Sequence, residues 1–244
     1  MPAPYASLPS FPLAADVEPF VLYADEALLV VEKPAGLLSV PGRGEDKQDC
    51  MMARLLRCYP DARIVHRLDH DTSGLLVVAR DADTHRELSR QFHDREVEKV
   101  YVALALGHLA DDSGRIGLPL RYDPPTKPRH VVDPVDGQSA LTEWRVLARG
   151  PGCTQVALIP HTGRTHQLRV HMQALGHPLL GDTLYAPAES CPPGSRLCLH
   201  AEALGFVHPV HGGRLRFERP APFRLHADLP ADDATSSSPV PSAP

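Results

Sequence analysis

Nine consecutive positions, His66-Arg67-Leu68-Asp69-His70-Asp71-Thr72-Ser73-Gly74, hold two carboxylates, two imidazoles, a guanidinium and two hydroxyls. They lie between two apolar strand-like runs, Ile64–Val65 and Leu75–Ala79, and are too polar to be core. Packing does not explain such a run, whereas a loop carrying function does. Its second half, Asp71 to Gly74, is also ordinary turn chemistry. A second concentration is His161-Thr162-Gly163-Arg164-Thr165-His166-Gln167-Leu168-Arg169-Val170-His171. Thr165 is a candidate cap for a helix whose apolar stripe is Leu168, Met172 and Leu175. His166, Arg169 and Gln173 fall on another face, polar and free of acids, which suits an anionic partner near a helix N-terminus. A solvated helix face is the plain alternative, and His171 reads equally well as a satisfied histidine.

A carboxylate on a polar loop, with Arg169 available from elsewhere, fits a nucleophile or base held ionised by charge pairing. A guanidinium within hydrogen-bond distance both lowers a carboxylate pKa and orients the group. Sugar chemistry, metal chemistry and a structural ion pair all remain open on these grounds. The set His66, Asp69, His70, His161, His166 and His171 invites a metal reading. Its spacing matches no H-E-x-x-H pattern, and Arg67 and Arg169 would sit beside the cation, so metal is the weaker reading. No G-x-S-x-G, Walker A loop or strand-linked G-x-G-x-x-G occurs, which removes the commonest serine hydrolase, NTPase and dinucleotide classes.

The elements that must position these residues are strand-rich. Phe20–Tyr23 and Leu28–Glu32 read as strands joined by a tight turn, Lys33–Asp46 as a Pro/Gly-marked loop, and Gln48–Cys58 as a helix. Asp83–His93 reads as an amphipathic helix with Asp83 at its cap, followed by a strand Val97–Leu106 that places Val100, Val102, Leu104 and Leu106 on one face. Ala140–Ala148 and Thr154–Ile159 form a strand pair, Thr165–Leu175 a helix ended by Gly176, and Leu197–Val207 and Arg214–Glu218 further strands. Phe92, Phe206 and Phe217 lie in periodic apolar segments and read as core. Strands outnumber helices without a βαβα alternation, so the expected class is α+β, one domain with a mixed, mostly antiparallel sheet flanked by helices and loops.

The 244-residue chain carries a formal net charge of −5, which taken whole speaks against a nucleic-acid partner. Seven of its 30 acids, however, lie in residues 1–30 and 225–244, where no Lys or Arg occurs; positions 31–224 hold 25 basic against 23 acidic residues, a net +2. Of the 25 basic residues 21 are Arg, whose planar guanidinium suits phosphate and base edges, although biased genome composition would give the same count. No apolar run is long enough to span a bilayer, and the N-terminus has no signal-peptide pattern, so a cytoplasmic protein without membrane association is expected. Five cysteines without a C-x-x-C fit reduced thiols rather than a disulfide framework. With no heptad and no long apolar edge, a monomer is expected.

His66-Arg67-Leu68-Asp69 with Thr72-Ser73-Gly74 resembles the signature of the RluA-type pseudouridine synthases. Lys33-Pro34-Ala35-Gly36-Leu37, Lys99-x-Tyr101-x-Ala103, Gly163 to His171, His177 to Asp182 and Leu197 to Ala201 agree in the same order, covering roughly residues 20–224. The run Gly36 to Gly42 is similar to the family's dual-specificity tRNA and 23S rRNA member, and the resemblance implies, as an expectation, a chain without an N-terminal S4-type domain. The resemblance implies isomerisation of uridine to pseudouridine in a tRNA anticodon stem-loop, a 23S rRNA hairpin or both, with the target base flipped from its stack. It implies that Asp69 is the essential carboxylate, that Arg169 partners its charge, and that Tyr101 stacks on the uracil and assists proton removal. Leu199 would wall the pocket. Arg67 is placed to fill the vacated stack or hold the flipped nucleotide's phosphate. Lys33, Arg43 and Arg164 are candidate phosphate contacts, with His166 a further substrate contact. No redox or group-transfer step occurs, so no cofactor and no metal is expected. The expected organisation is a loose arm over 1–15, the catalytic domain over 16–231 and a disordered tail over 232–244. A non-catalytic RNA-binding module and a metal-dependent hydrolase are the competing classes.

Overall fold

A computed structural model describes residues 20–225; the expected arm and tail lie outside them. Strands dominate: β1 (Phe20–Ala24), β2 (Leu28–Lys33), β3 (Arg63–Ile64), β4 (Ser73–Ala79), β5 (Glu98–Leu106), β6 (Ser113–Ile116), β7 (Leu120–Tyr122), β8 (His130–Val132), β9 (Thr142–Gly150), β10 (Cys153–Pro160), β11 (Leu199–Val207) and β12 (Arg214–Glu218). The helices are α1 (Met51–Leu56), α2 (Ala82–His93) and α3 (Gln167–Ala174). The main sheet runs β1-β2-β4-β11-β5-β10-β9-β6, with β3 added to β4 and β12 to β11; β7 and β8 form a separate hairpin. Every pairing is antiparallel except β4 with β11, so the mixed, mostly antiparallel expectation holds.

The central strands are buried on both faces, which is why Leu28–Val31 and Leu75–Ala79 read as unbroken apolar runs. Leu29, Val31, Leu76 and Val78 pack against Met51, Met52 and Leu55 of α1, while Leu28, Val30, Leu75 and Val77 pack against Leu88 of α2 and Phe206. In the other half, Ala103, Ala105, Val156 and Leu158 meet Leu168 and Met172 of α3. Val102, Leu104 and Leu106 turn the opposite way, toward Cys198 and Phe223. Tyr101 packs against the α1-side cluster and the α3-side cluster alike, so it marks the seam between the halves.

The seam depends on one close approach. Gly74 (φ 116°) faces Ala201 where β4 and β11 run parallel, and a Cβ there would collide with the Ala201 backbone. This places Ser73 and Gly74 in the strand, not in the turn expected before Leu75: only glycine lets the backbones pair this closely. Gly74→Ala should therefore destabilise the fold by about 3 kcal/mol or more, lowering the melting temperature by roughly 6 °C or more; thermal unfolding within a degree of wild type would contradict this contact.

Several boundaries differ from expectation for local reasons. α1 is shorter because Cys50 caps it, its Sγ accepting from Ala53 N, while the Gln48 amide folds back onto the Gly42 and Gly44 carbonyls. α2 is capped by Asp81, not Asp83: Asp81 Oδ1 accepts from Asp83 N and Thr84 N, each at 2.8 Å. α3 begins at Gln167 after a left-handed His166 (φ 56°), and Thr165 does not cap it. The Gln167 side chain anchors that start, accepting from Thr162 Oγ1 and Arg164 N and donating to Leu141 O and Thr142 Oγ1. The short strands β6 to β8 have no counterpart in the sequence pattern; they are partly exposed and separated by Pro-containing connections that carry little alternation.

Candidate active site

A cleft of about 890 Å³ opens over the seam. Into it project the loop between β3 and β4, the segment leading into α3, Tyr101 of β5 and Leu199 of β11. Arg67, Asp69, Tyr101, Arg164, His166, Arg169 and Leu199 all line it, so seven of the nine residues singled out from sequence come together.

Asp69 is held through its neighbours. Leu68 N donates to Ser39 Oγ at 3.1 Å, and Ser39 Oγ donates to Leu68 O at 2.7 Å. On the other side, His70 O accepts from Gly36 N and from Lys33 Nζ, each at 3.0 Å. The loop closes on itself with Thr72 N donating to Asp69 O. The Gly36 to Ser39 segment thus clamps the backbone on both sides of Asp69 while its carboxylate stays 27% exposed to the cleft.

Lys33 is where the sequence reading fails. It is fully buried, and its Nζ donates to Pro34 O, Leu37 O and His70 O at 2.8, 2.7 and 3.0 Å. Three carbonyls consume the three ammonium donors, leaving nothing for a phosphate. Burial pushes its pKa down, opposed by the Asp71 and Asp69 carboxylates. Lys33 ties the Pro34–Leu37 turn to the Asp69 loop. Arg43 is exposed but does not line the cleft, so its place as a phosphate contact is unsupported.

Arg169 needs a second correction. It is no member of an acid-free, solvated face: its side chain is 3% exposed and its Nε and Nη2 donate to both oxygens of Asp182, itself 0% exposed, at 2.8 and 2.7 Å. Asp182 also accepts from Leu184 N and Tyr185 N. Only Nη1 is left to face Asp69 Oδ2, at 3.7 Å, an ion pair without a hydrogen bond. Burial works against the guanidinium's charge, but the Asp182 hydrogen bonds outweigh it and raise its pKa. The Tyr185 ring lies under the guanidinium, 5.2 Å from its carbon, while Tyr185 Oη bonds His166 Nδ1 at 2.7 Å and accepts from His130 N at 2.8 Å. His166 turns its Nε2 to within 3.9 Å of Asp69 Oδ2. Burial lowers the His166 pKa against the pull of Asp69. One aromatic ring therefore orients both groups that face the carboxylate. Asp182 and Tyr185 carry no role in the sequence reading; Asp182 has a signal only as the end of the His177 to Asp182 run, and Tyr185 has none.

The other imidazoles of the sequence-derived metal set have partners of their own: His70 Nδ1 lies 2.6 Å from Asp71 Oδ1, and His161 Nε2 lies 3.3 Å from Glu143 Oε1. His66 Nε2 accepts from Val77 N, and burial drives its pKa down to about 3. His171 is buried with both nitrogens bonded, to Thr142 Oγ1 and Leu118 O, as a satisfied histidine should be. Among the described residues no three His, Cys, Asp or Glu side chains converge to hold a metal ion. Phe206 and Phe217 stack in the core as read, whereas Phe92 also reaches the cleft, where its ring stacks on His66 at 4.4 Å.

Tyr101 sits half-buried at the cleft floor. Burial, reinforced by the Asp69 charge, pushes its phenol well above the ordinary value, so it stays protonated across the physiological range. A carboxylate above an apolar, aromatic floor, walled by Leu199 and rimmed by guanidinium groups, is suited to a flat, neutral heterocycle on a phosphate-linked chain.

The sequence model of the RNA pseudouridylate synthase family matches residues 27–174. The chain belongs to that family and is an RNA pseudouridine synthase, an isomerase acting on uridine in RNA. It is similar to the dual-specificity RNA pseudouridine synthase RluA of Yersinia pestis, 50% identical over 204 residues covering 83% of this chain and 99% of the relative. The RluA of Escherichia coli strain K12 is 49% identical over 83% of this chain and 93% of its own length. Among solved structures it is similar to human RNA pseudouridylate synthase domain containing 1, with a TM-score of 0.73 and 30% identity, covering 88% of this chain and 89% of that one.

Proposed function

We propose that this enzyme has dual specificity, acting on a uridine in a tRNA anticodon stem-loop and on one in a 23S rRNA hairpin, with Asp69 as its essential carboxylate. The observation that carries the site assignment is Asp69 itself: clamped through Leu68 and His70, open to the cleft, and faced by Arg169 and His166. The near-full-length similarity to enzymes named dual-specificity supports the substrate range.

In the reaction the C1′–N1 bond breaks, uracil turns within the cleft, and C5 bonds to C1′. The proton on C5 is then lost and N1 gains one, so the change is an isomerisation with no net redox or group transfer. Asp69 acts on the ribosyl centre. Tyr101 stacks against the turning uracil, Leu199 closes the wall, and together they exclude the water that would hydrolyse the sugar. Arg169 and His166 orient the carboxylate, and Arg164 meets the backbone. Arg67, exposed on the cleft rim two residues before Asp69, takes the space the flipped base vacates.

Because its pKa is raised, Tyr101 does not act as a phenolate base at ordinary pH. The kcat profile should show no ionisation between about pH 8 and 10 that disappears in Tyr101→Phe; a limb in that range, lost on substitution, would make the phenolate the base. Dual specificity is tested by mapping pseudouridines in total RNA from cells lacking the gene. One missing site in a tRNA and one in 23S rRNA are expected, and loss from a single RNA class would refute it.

A further inference from the structure

Most surface guanidinium groups of this protein are neutralised where they stand, by acids such as Asp49, Asp83, Glu87, Asp112, Glu143 and Glu202. The α2–β5 wall of the cleft is different. Arg95 and Lys99 both line it, and among the described residues neither side chain has an ion pair or a hydrogen bond. Their neighbours in sequence are acidic, yet each acid is engaged elsewhere. Asp94 and Glu96, flanking Arg95, both bond Arg90, at 2.8 and 3.0 Å. Glu98, next to Lys99, pairs with Arg214 and Arg216 on the other face of β5, at 3.4 and 3.1 Å. Adjacent strand residues point to opposite faces, so Lys99 shares the cleft face with Tyr101 while Glu98 does not.

Arg95 also occupies a backbone position that argues against chance. It follows α2 with φ 64°, where its N–H closes on Phe92 O and Glu96 N closes on Gln91 O. That left-handed position after a helix is ordinarily glycine's, since a Cβ there is strained. Here the strain is kept together with a guanidinium aimed at the cleft.

We propose that Arg95 and Lys99 form a phosphate subsite on the α2–β5 wall, holding a backbone phosphodiester of the bound RNA beside the nucleotide presented to Asp69. The subsite rests on RNA being the substrate and is built from a chain segment separate from the one that carries Arg164 and Arg169. Burial lowers the Lys99 pKa, and the neighbouring Arg95 charge adds to that. The chain's overall charge of −5 conceals this site, because the acids beside it are paired away from the cleft.

The test is kcat/KM on a tRNA anticodon stem-loop that wild type converts, measured at stepped salt beside melting temperature. Arg95→Gly removes both the charge and the strain, so it should melt about 2 °C or more above wild type yet lose RNA affinity. Arg95→Gln should lose the same affinity without the gain in melting temperature. In both, the salt slope of log kcat/KM should become shallower by about 0.7–0.9, so the deficit narrows about threefold between roughly 50 and 200 mM salt. Arg86→Gln, whose partner is Asp83, is the control and should keep the wild-type slope. Wild-type kcat/KM and slope in both Arg95 variants, or a loss with an unchanged slope, would overturn the subsite. If wild type itself makes no pseudouridine in any RNA, it is the functional reading that fails.

Discussion

Replacing Asp69 by Asn should abolish pseudouridine formation, by about 10⁴-fold or more, while leaving the fold and RNA binding in place. The geometry supports both halves of this result. Among the described residues the carboxylate makes no hydrogen bond that holds the protein together: its two charged neighbours, Arg169 and His166, stand 3.7 and 3.9 Å away, and the loop is fixed by backbone atoms of Leu68, His70 and Thr72. Asn is isosteric and takes the same space, so the melting temperature should move by no more than about 2 °C. RNA should bind at least as well, because one negative charge leaves a cleft rimmed by guanidinium groups. Turnover that survives the substitution at a tenth of wild type would remove Asp69 from the chemistry.

The second large effect is expected one layer further in. Asp182→Ala leaves the Arg169 guanidinium 3% exposed with neither of its two short bonds, and breaking a buried pair from one side costs about 3–5 kcal/mol. In a chain of this length that lowers the melting temperature by about 6–20 °C. Activity should fall separately, by about 10²-fold in kcat, because Arg169 is then free to swing onto Asp69 and pull it from its productive orientation. A double variant, Asp182→Leu with Arg169→Met, distinguishes the two losses. Removing both charges together should recover much of the stability and none of the activity. Arg169→Lys should not rescue either property, since an ammonium cannot make the bidentate contact. A melting temperature for Asp182→Ala within about 2 °C of wild type would contradict a structural role for the pair.

What could be read from the residues alone divides along a physical line. Segments whose character is local were legible: the doubly buried runs Leu28–Val31 and Leu75–Ala79, the helix carrying Leu88, and the polar loop around Asp69. The gathering of Asp69, Tyr101, Arg169 and Leu199 on one cleft followed from the family resemblance, since four separate segments supply them. Partner choice was not legible. Lys33 sits among Pro and Gly in a loop, which reads as exposed; its burial is decided by carbonyls from positions 34, 37 and 70. Arg169 and Asp182 are joined across a turn with no periodicity to reveal it. A phosphate role for Arg95 and Lys99 is not legible either, because counting charges cannot show which acids are already engaged by Arg90, Arg214 and Arg216.

The most direct test is tritium release from [5-³H]uridine-labelled RNA by the purified protein in EDTA with no added cofactor. Each uridine isomerised exchanges its C5 hydrogen, so release should equal the pseudouridine formed, and Asp69→Asn should release none. A wild-type protein that binds the RNA yet releases no tritium, from tRNA or from 23S rRNA lacking the modification, would contradict the assignment of this cleft as a pseudouridine-forming site.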